Sequence, residues 1–425
     1  MKIAIAGTGY VGLVTAVCLA EKGHSVTCVD INKTKIALLN EGKSPIYETG
    51  LEELMEKNQH NLTYTTDYCS AYKDAEAIFV GVGTPENKDG SANLTYVYSA
   101  IDQIAECTKK NCVVVIKSTV PIGTNDKIEK LLNSKKRNDI QISVASNPEF
   151  LSQGTAIHDT LFAARIILGV EDEYSELVLR EVYKNFDAPI LAMNRRSAEM
   201  VKYASNDFLA LKISYINEIA NLCEEIGANI ADVSAGMGYD SRIGNKFLNA
   251  GIGYGGSCFP KDTKALYWLS NMYDRELKTI KAAIEVNEQQ KLRLIKKARK
   301  YYANFDNLSI AILGLTFKPG TDDLREAPSL ANIPIFLEEG AHIKAWDPVG
   351  IDNYKKLYPS EITYCKTIDE TIINAELCFI FTEWDEIKQY NRGHFAKLMK
   401  TPIVLDGRNC WDDGINNIIY ESIGK

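Results

Sequence analysis

No apolar run in this chain approaches the ~20 residues that cross a bilayer, so no membrane span is expected. The first residues, Met1-Lys-Ile-Ala-Ile-Ala-Gly7, read as a strand and a turn, so no cleavable signal peptide is expected. Cationic residues are in the minority, 48 against 56 acidic ones, for a net charge of −8. That balance argues against nucleic acid or an anionic membrane as a partner, so an anionic ligand must be met by a local group of Lys and Arg. Histidine is sparse: His24, His60, His158, His342 and His394 show no H-x-x-x-H spacing, and no metal site is expected. Ten cysteines are scattered without a C-x-x-C pair. With no export signal, they are expected as reduced thiols in a cytoplasm.

What the chain does have is length and one unusual stretch. Its 425 residues exceed a single core, so two or three domains are expected. The stretch is Gly251-Ile-Gly-Tyr-Gly-Gly-Ser-Cys258-Phe-Pro-Lys261-Asp262-Thr263. Its glycines let a ligand or another backbone come close. Pro260, Asp262 and Thr263 then read as a helix start, with Asp or Thr as the cap. A thiol just before a helix N-terminus, with Lys261 beside it, is favoured as thiolate. Cys258 is therefore a candidate covalent nucleophile; the alternative is a buried structural cysteine beside a turn.

Near the N-terminus, Gly7-Thr-Gly9-Tyr-Val-Gly12 follows a strand, opens a helix, and is answered by Asp30 after a second strand, His24–Val29. This is the arrangement of a dinucleotide-binding turn, with the phosphates on the helix N-terminus and Asp30 on the ribose hydroxyls. Asp30 repels a 2′-phosphate, which points to NAD. Further strands at 77–82, 113–117 and 140–145 end in turns carrying Thr84, Thr119 and Glu149, at the rim where ligands lie in such sheets. Glu149 is a candidate acid or base there.

Residues 197–226 read as one long helix in which Val201, Ala204, Phe208, Leu211, Tyr215 and Leu222 recur at helical spacing. Lys202 and Asn206 share a face of it and together suit a developing oxyanion. A second long, charged helix is expected from about 274 to 302. Two long helices flanking a loop suggest a homodimer formed here. The last third repeats the first in order: Leu308–Gly314, Ala341–Asp347, Asn374–Thr382 and Pro402–Asp406 echo the strands above. It lacks G-x-G-x-x-G and carries Phe317, Lys318 and Arg325 instead, so a second dinucleotide is not expected but a phosphate-bearing ligand is. Arg408 adds a cation at the same rim. The expected fold is two Rossmann-like doubly wound parallel-sheet α/β domains joined by a central helical domain: 1–195 for NAD, 196–303 for dimerisation, 304–425 for a nucleotide-linked substrate. A thiol combined with a redox cofactor suggests aldehyde oxidation through a thioester.

Taken together, Gly7-Thr-Gly-Tyr-Val-Gly12, Ser118-Thr-Val-Pro121, Asn147-Pro-Glu-Phe-Leu151, Lys202 with Asn206, Arg242-Ile-Gly244, Gly253-Tyr-Gly-Gly-Ser-Cys-Phe-Pro-Lys-Asp262, Phe317-Lys318 and Arg325 resemble the UDP-glucose/GDP-mannose dehydrogenase family along the whole chain. The resemblance implies oxidation of UDP-glucose to UDP-glucuronate with two NAD⁺. In it, Cys258 forms a thiohemiacetal and thioester, Lys202 or an Asp262-held water handles a proton, and Lys202 and Asn206 hold oxyanions. Thr119 and Glu149 position the hydrolytic water. It also implies sugar-nucleotide contacts from Glu149, Phe150, Leu151, Ser152, Lys202, Asn206, Phe247, Leu248, Asn249, Ala250, Gly251, Gly255, Lys318 and Arg408, with Arg242 reaching in from a partner subunit. NAD contacts fall to Gly7, Gly9, Val11, Gly12, Asp30, Lys35, Thr84, Thr119, Lys261 and Arg325. Gln153 departs from the family, which often has a glutamate there; the base role then falls to Glu149. Three alternatives stay open: GDP-mannose or UDP-N-acetylmannosamine as substrate, a two-electron 3-hydroxyacid-type dehydrogenase, or an inert NAD-binding scaffold.

Overall fold

The computed structural model describes residues 1–137, 139–412 and 417–425. It divides into two compact units, Met1–Ser205 and Asn206–Lys425.

The first unit is built on strands β1 (Lys2–Ala6), β2 (Ser25–Val29), β3 (Leu62–Thr65), β4 (Ala77–Val80), β5 (Cys112–Ile116), β6 (Ile142–Ser146), β7 (Ile166–Gly169) and β8 (Ile190–Met193), in the order β3-β2-β1-β4-β5-β6-β7-β8. Its central strands are apolar throughout because both faces are covered. In β1 and β5, Ile3, Ile5, Val113 and Val115 enter one core, while Ala4, Ala6, Val114 and Ile116 enter the core on the opposite face. One junction in this parallel sheet runs the other way. β7 meets β6 antiparallel through Ser146 and Gly169. A side chain at Gly169 would come within 2.6 Å of the Ala198 Cβ, so glycine lets that edge close up. The expectation of reduced thiols is corrected. Cys69 and Cys107, 38 residues apart, form a disulfide between two packed helices, Tyr68–Tyr72 and Thr95–Cys107. Absence of a C-x-x-C motif says nothing about pairs that only the fold brings together.

The second unit carries β9 (Ser309–Leu313), β10 (His342–Trp346), β11 (Ile362–Tyr364), β12 (Leu377–Ile380), β13 (Ile403–Asp406) and β14 (Ile419–Ser422), all parallel, in the order β11-β10-β9-β12-β13-β14. This reproduces the order of β1–β6, as the internal echo predicts. The helix Arg195–Ile226 is continuous over 32 residues and carries Lys202 and Asn206 one turn apart. The charged helix expected near 274–302 is instead two, Lys278–Gln290 and Arg293–Ala298. The break has a cause: the Lys291 carbonyl accepts a hydrogen bond from Asn332 Nδ2 (2.8 Å), and the Lys291 ammonium is drawn to Glu326 (2.7 Å). No helix among the described residues is long and apolar enough to cross a membrane.

Candidate functional site

In the first unit, Gly9 occupies the N-cap position of the helix Tyr10–Glu21, and no side chain caps the free N–H groups. A Cβ on Gly12 would sit 2.0 Å from the Gly7 carbonyl oxygen, whereas one on Gly9 would meet nothing within 4 Å. So Gly12 serves helix–strand contact, and the space beside Gly9 fits an incoming pyrophosphate. Val11 lies half-buried in the first turn of that helix. Asp30 follows β2. Its Oδ2 accepts from Thr8 N (2.9 Å) and Thr8 Oγ1 (2.7 Å), and its Oδ1 accepts from Asn32 N (2.9 Å). Burial pushes the carboxyl up, but these donors and Lys35 outweigh it and hold Asp30 below the usual carboxylate range. An anion tied to the glycine loop with lone pairs to spare suits a ribose diol. The residues present fit NAD. Asp347, its echo in the second unit, is different: six donor contacts, from Leu315 N, Thr316 N and Oγ1, Trp384 Nε1, Val349 N and Gly350 N, occupy it. That carboxylate is spent on its own loops.

At the rim of the first sheet, Thr84 Oγ1 donates to the Thr119 carbonyl (3.0 Å), joining the turns after β4 and β5. Glu149, after β6, is buried with its Oε1 2.9 Å from Lys202 Nζ, which is buried too. Glu149 Oε2 has no hydrogen-bond partner among the described residues. The Phe150 ring lies under the Arg165 guanidinium (4.1 Å) and within 5.6 Å of Lys202 Nζ. Leu151 is half-buried, and Ser152 is exposed and fixed by its N–H to Asp159 (2.9 Å). Two residues missing from the sequence reading stand behind this rim. Lys117, at the end of β5, is buried and donates to Asn147 Oδ1 (2.9 Å), while Tyr183 donates to the same oxygen. Asn147 Nδ2 donates to the Ile167 carbonyl (2.9 Å), so the segment leading to Glu149 is anchored. Burial pushes Lys117 down to about 8, with Glu149 opposing and Lys202 adding to the shift. The other is Glu48, which accepts from Tyr10 Oη and from the N–H groups of Gly154 and Ala156 (both 2.7 Å). It ties the dinucleotide turn to the Glu149–Ser152 loop. A charged residue closing an apolar run, as Lys117 closes Cys112–Ile116, is the signal the sequence offers for the first of these, and Glu48 has none.

In the second unit, amide side chains grip the glycine loop by its backbone. Asn217 accepts from Gly251 N (2.8 Å), Gln290 donates to Gly251 O (2.7 Å), and Asn287 both accepts from Tyr254 N (2.8 Å) and donates to Tyr254 O (3.0 Å). Gly255 and Gly256 pack where a Cβ would meet the Glu326 carbonyl at 2.3 Å and the Phe317 ring at 2.8 Å. Phe259 sits between Phe247 and Tyr254 in edge-on contact. The helix Phe259–Met272 then begins, with Cys258 itself at the N-cap position. Here the expected caps need correcting. Thr263 Oγ1 turns back to the Phe259 carbonyl (2.8 Å), and Asp262 faces sideways, accepting from Lys261 Nζ (2.5 Å) and Asn206 Nδ2 (2.6 Å). The first-turn N–H groups therefore stay uncapped beneath the sulfur. Arg325 is a second cation there. Burial works against its charge, Asp323 more than restores it, and Cys258 contributes to holding it.

The remaining predicted contacts sort by environment. Leu248 and Ala250 are buried, while Phe247 and Asn249 are exposed. Lys318 is half-buried beside the Phe317 ring (5.7 Å). Arg408 reaches three carbonyls, Phe381 (2.9 Å), Gly253 (3.1 Å) and Phe317 (2.9 Å), and so braces the glycine loop. Arg242 has an 87% exposed side chain, paired with Asp240 at 2.6 Å. Among the described residues no group of His, Cys, Asp and Glu is placed to hold a metal ion.

Comparisons agree with this geometry. Profiles of the UDP-glucose/GDP-mannose dehydrogenase family match in chain order: the NAD binding domain at residues 1–187, the central domain at 196–289 and the UDP binding domain at 311–413. A UDP-glucose 6-dehydrogenase of Bacillus subtilis (strain 168) is 46% identical over 430 aligned positions, covering 100% of this chain and 98% of its own. Among solved structures, a UDP-glucose dehydrogenase from Pyrobaculum islandicum superposes with a TM-score of 0.93 at 35% identity, covering 99% of this chain and 96% of that one. A UDP-D-ManNAc dehydrogenase from Pyrococcus horikoshii does so with a TM-score of 0.89 at 27% identity, covering 100% and 99%.

Proposed function

Because the chain belongs to the UDP-glucose/GDP-mannose dehydrogenase family, we propose that it oxidises the C6 hydroxyl of UDP-glucose to a carboxylate, giving UDP-glucuronate through a thioester on Cys258. The observation that carries this reading is the sulfur at an uncapped helix N-terminus with Lys261 and Arg325 as nearby cations, a setting that stabilises thiolate. Bound NAD⁺ supplies the hydride acceptor, twice per sugar. Lys202, or a water held by Asp262, takes the proton of the C6 hydroxyl. The Cys258 thiolate adds to the aldehyde carbon. Lys202 and Asn206, one helical turn apart, hold the oxygen that becomes negative. Oxidation of the resulting thiohemiacetal leaves a thioester, and a water positioned by Thr119 and Glu149 cleaves it, returning the thiolate. The sugar nucleotide rests on Glu149–Ser152, the Phe247–Gly255 loop, Lys318 and Arg408, with the partner subunit's Arg242. NAD is held by the Gly7–Gly12 turn, Asp30, Lys35, Thr84, Thr119, Lys261 and Arg325. The division at 1–195, 196–303 and 304–425 goes with these roles. We place the reaction in a cytoplasm; the eight cysteines that are free thiols suit it, and the Cys69–Cys107 disulfide is the exception.

The test is a count. Two NADH per UDP-glucose, with uronate as product, is expected, and turnover should favour UDP-glucose over UDP-N-acetylmannosamine and GDP-mannose. One NADH per sugar would make this a two-electron enzyme and end the thioester proposal.

We also propose a homodimer through the long helix. Phe208, Tyr215 and Leu222, spaced seven apart, are 61%, 48% and 54% exposed, an apolar stripe that single chains seldom leave in water. Phe208→Glu combined with Tyr215→Glu is expected to halve the mass measured by sedimentation. A wild-type protein that sediments as one chain would remove the dimer.

A further inference from the structure

Asp207 lies next to Asn206 on the long helix and is 1% exposed. Neither of its carboxylate oxygens has a hydrogen-bond partner among the described residues. An ionised carboxylate without donors in such a place is very unfavourable, so the group takes its proton instead. An asparagine there would bury an amide without partners but would carry no charge at any pH, so what separates the two residues is the titration of the aspartate. Among the described residues, the titratable groups whose charge reaches it are Asp262 on the cysteine helix, which in turn holds Lys261, and Tyr254 on the glycine loop. Beyond Tyr254 lie Glu288 and Glu326, both held by Lys291. Asp262 is the group that matters: it holds Lys261 and Asn206 through one oxygen each and competes with Asp207 for the right to be negative. Asp262 has a donor on each oxygen and Asp207 has none among the described residues, so Asp207 is the one that burial drives toward the neutral acid.

We propose that Asp207 is a positioning residue acting through its charge state: as a neutral acid it leaves Asp262 and Asn206 free to serve the reacting sugar oxygen, and as a carboxylate it opposes the negative charge that develops there. The proposal rests on the roles given above to Asp262, Asn206 and Cys258. Burial, with Asp262 adding to it, raises Asp207 to about 8, inside the range an assay can scan. Ionisation then places a second anion beside Asp262, within a helical turn of the sulfur. It disfavours both the thiolate and the oxyanion, and turnover falls on the alkaline side. No bond to Asp207 is made or broken; only its own proton leaves, to solvent.

The experiment compares the full-length wild type with Asp207→Asn across pH 6 to 9.5, reading kcat, KM and melting temperature. The wild type is expected to lose about tenfold in kcat between pH 7 and pH 9, and the variant less than about twofold over the same span, with KM moving little in either. The melting arm needs no turnover. A carboxyl raised in the folded state stabilises it below the unfolded value of about 4, and that stability is lost as pH climbs toward the folded value. The wild type should therefore lose more melting temperature between pH 5 and pH 8.5 than the variant. A flattened melting profile with unchanged alkaline kinetics would overturn the positioning role. No difference in melting would overturn the titration itself, whatever becomes of the thioester. Should Asp207→Asn not fold, Asp207→Ala, which leaves no unpartnered polar group, serves the same comparison.

Discussion

Cys258→Ser is expected to retain less than about a thousandth of the wild-type rate of uronate formation, while dissociation constants for NAD⁺ and UDP-glucose stay within about twofold. Serine preserves the shape at the helix entrance but not the anion: an alcohol at this position gains too little from a helix terminus and two cations to ionise near neutral pH. Binding should survive because the loop is gripped through its backbone by Asn217, Asn287 and Gln290, and not by the sulfur. The same contrast is visible inside the wild type. Cys18, Cys28 and Cys112 are buried thiols that desolvation pushes up to about 12, so they are inert at neutral pH. Brief alkylation at pH 7 should label Cys258 ahead of them and stop turnover in proportion. Uronate formation at near wild-type rate in the serine variant would refute covalent catalysis.

How much of this was readable before the fold was known depends on range. The dinucleotide turn is local: Gly7, Gly9 and Gly12 declare their geometry within six residues, and Asp30 follows at the expected interval. The second sheet was legible because its apolar segments return in the same order as the first. The antiparallel edge was not, since Ile166–Gly169 is four residues long and nothing in it states a direction. Nor was the split of the charged helix at Lys291, which depends on Asn332 from 41 residues away. Asp207 is the clearest case. It stands one residue from Asn206, yet a helix turns about 100° per residue, so neighbours in sequence face different surroundings. Arg408 shows the converse: its position at a strand end was right, but only the fold reveals that its guanidinium also braces three carbonyls.

Glu149→Gln is expected to separate the two halves of the reaction. Glutamine keeps the hydrogen-bonding shape but cannot accept a proton. The first hydride transfer and thioester formation should proceed, giving a burst of NADH. Steady-state turnover should fall about 100-fold as the thioester waits for an unactivated water. Wild-type Glu149 has one oxygen on Lys202 and the other without a partner among the described residues, which is the lone pair a water would use. Position 153 supplies no second carboxylate to take over, because it is glutamine. Stability should fall as well. The variant leaves the Lys202 ammonium buried opposite a neutral amide, with Lys117 as a second buried cation nearby, and losing one partner of such a pair costs about 3–5 kcal/mol. For a unit of this size that is a drop of roughly 10 °C in melting temperature. Lys202→Met in the same background should recover part of the stability but none of the turnover, since it removes the stranded charge together with the oxyanion partner. Quenching the burst in denaturant and then adding hydroxylamine should yield the sugar hydroxamate in amounts equal to enzyme. A variant that turns over steadily, with no burst and nothing trapped, would show that Glu149 does not serve the hydrolytic water.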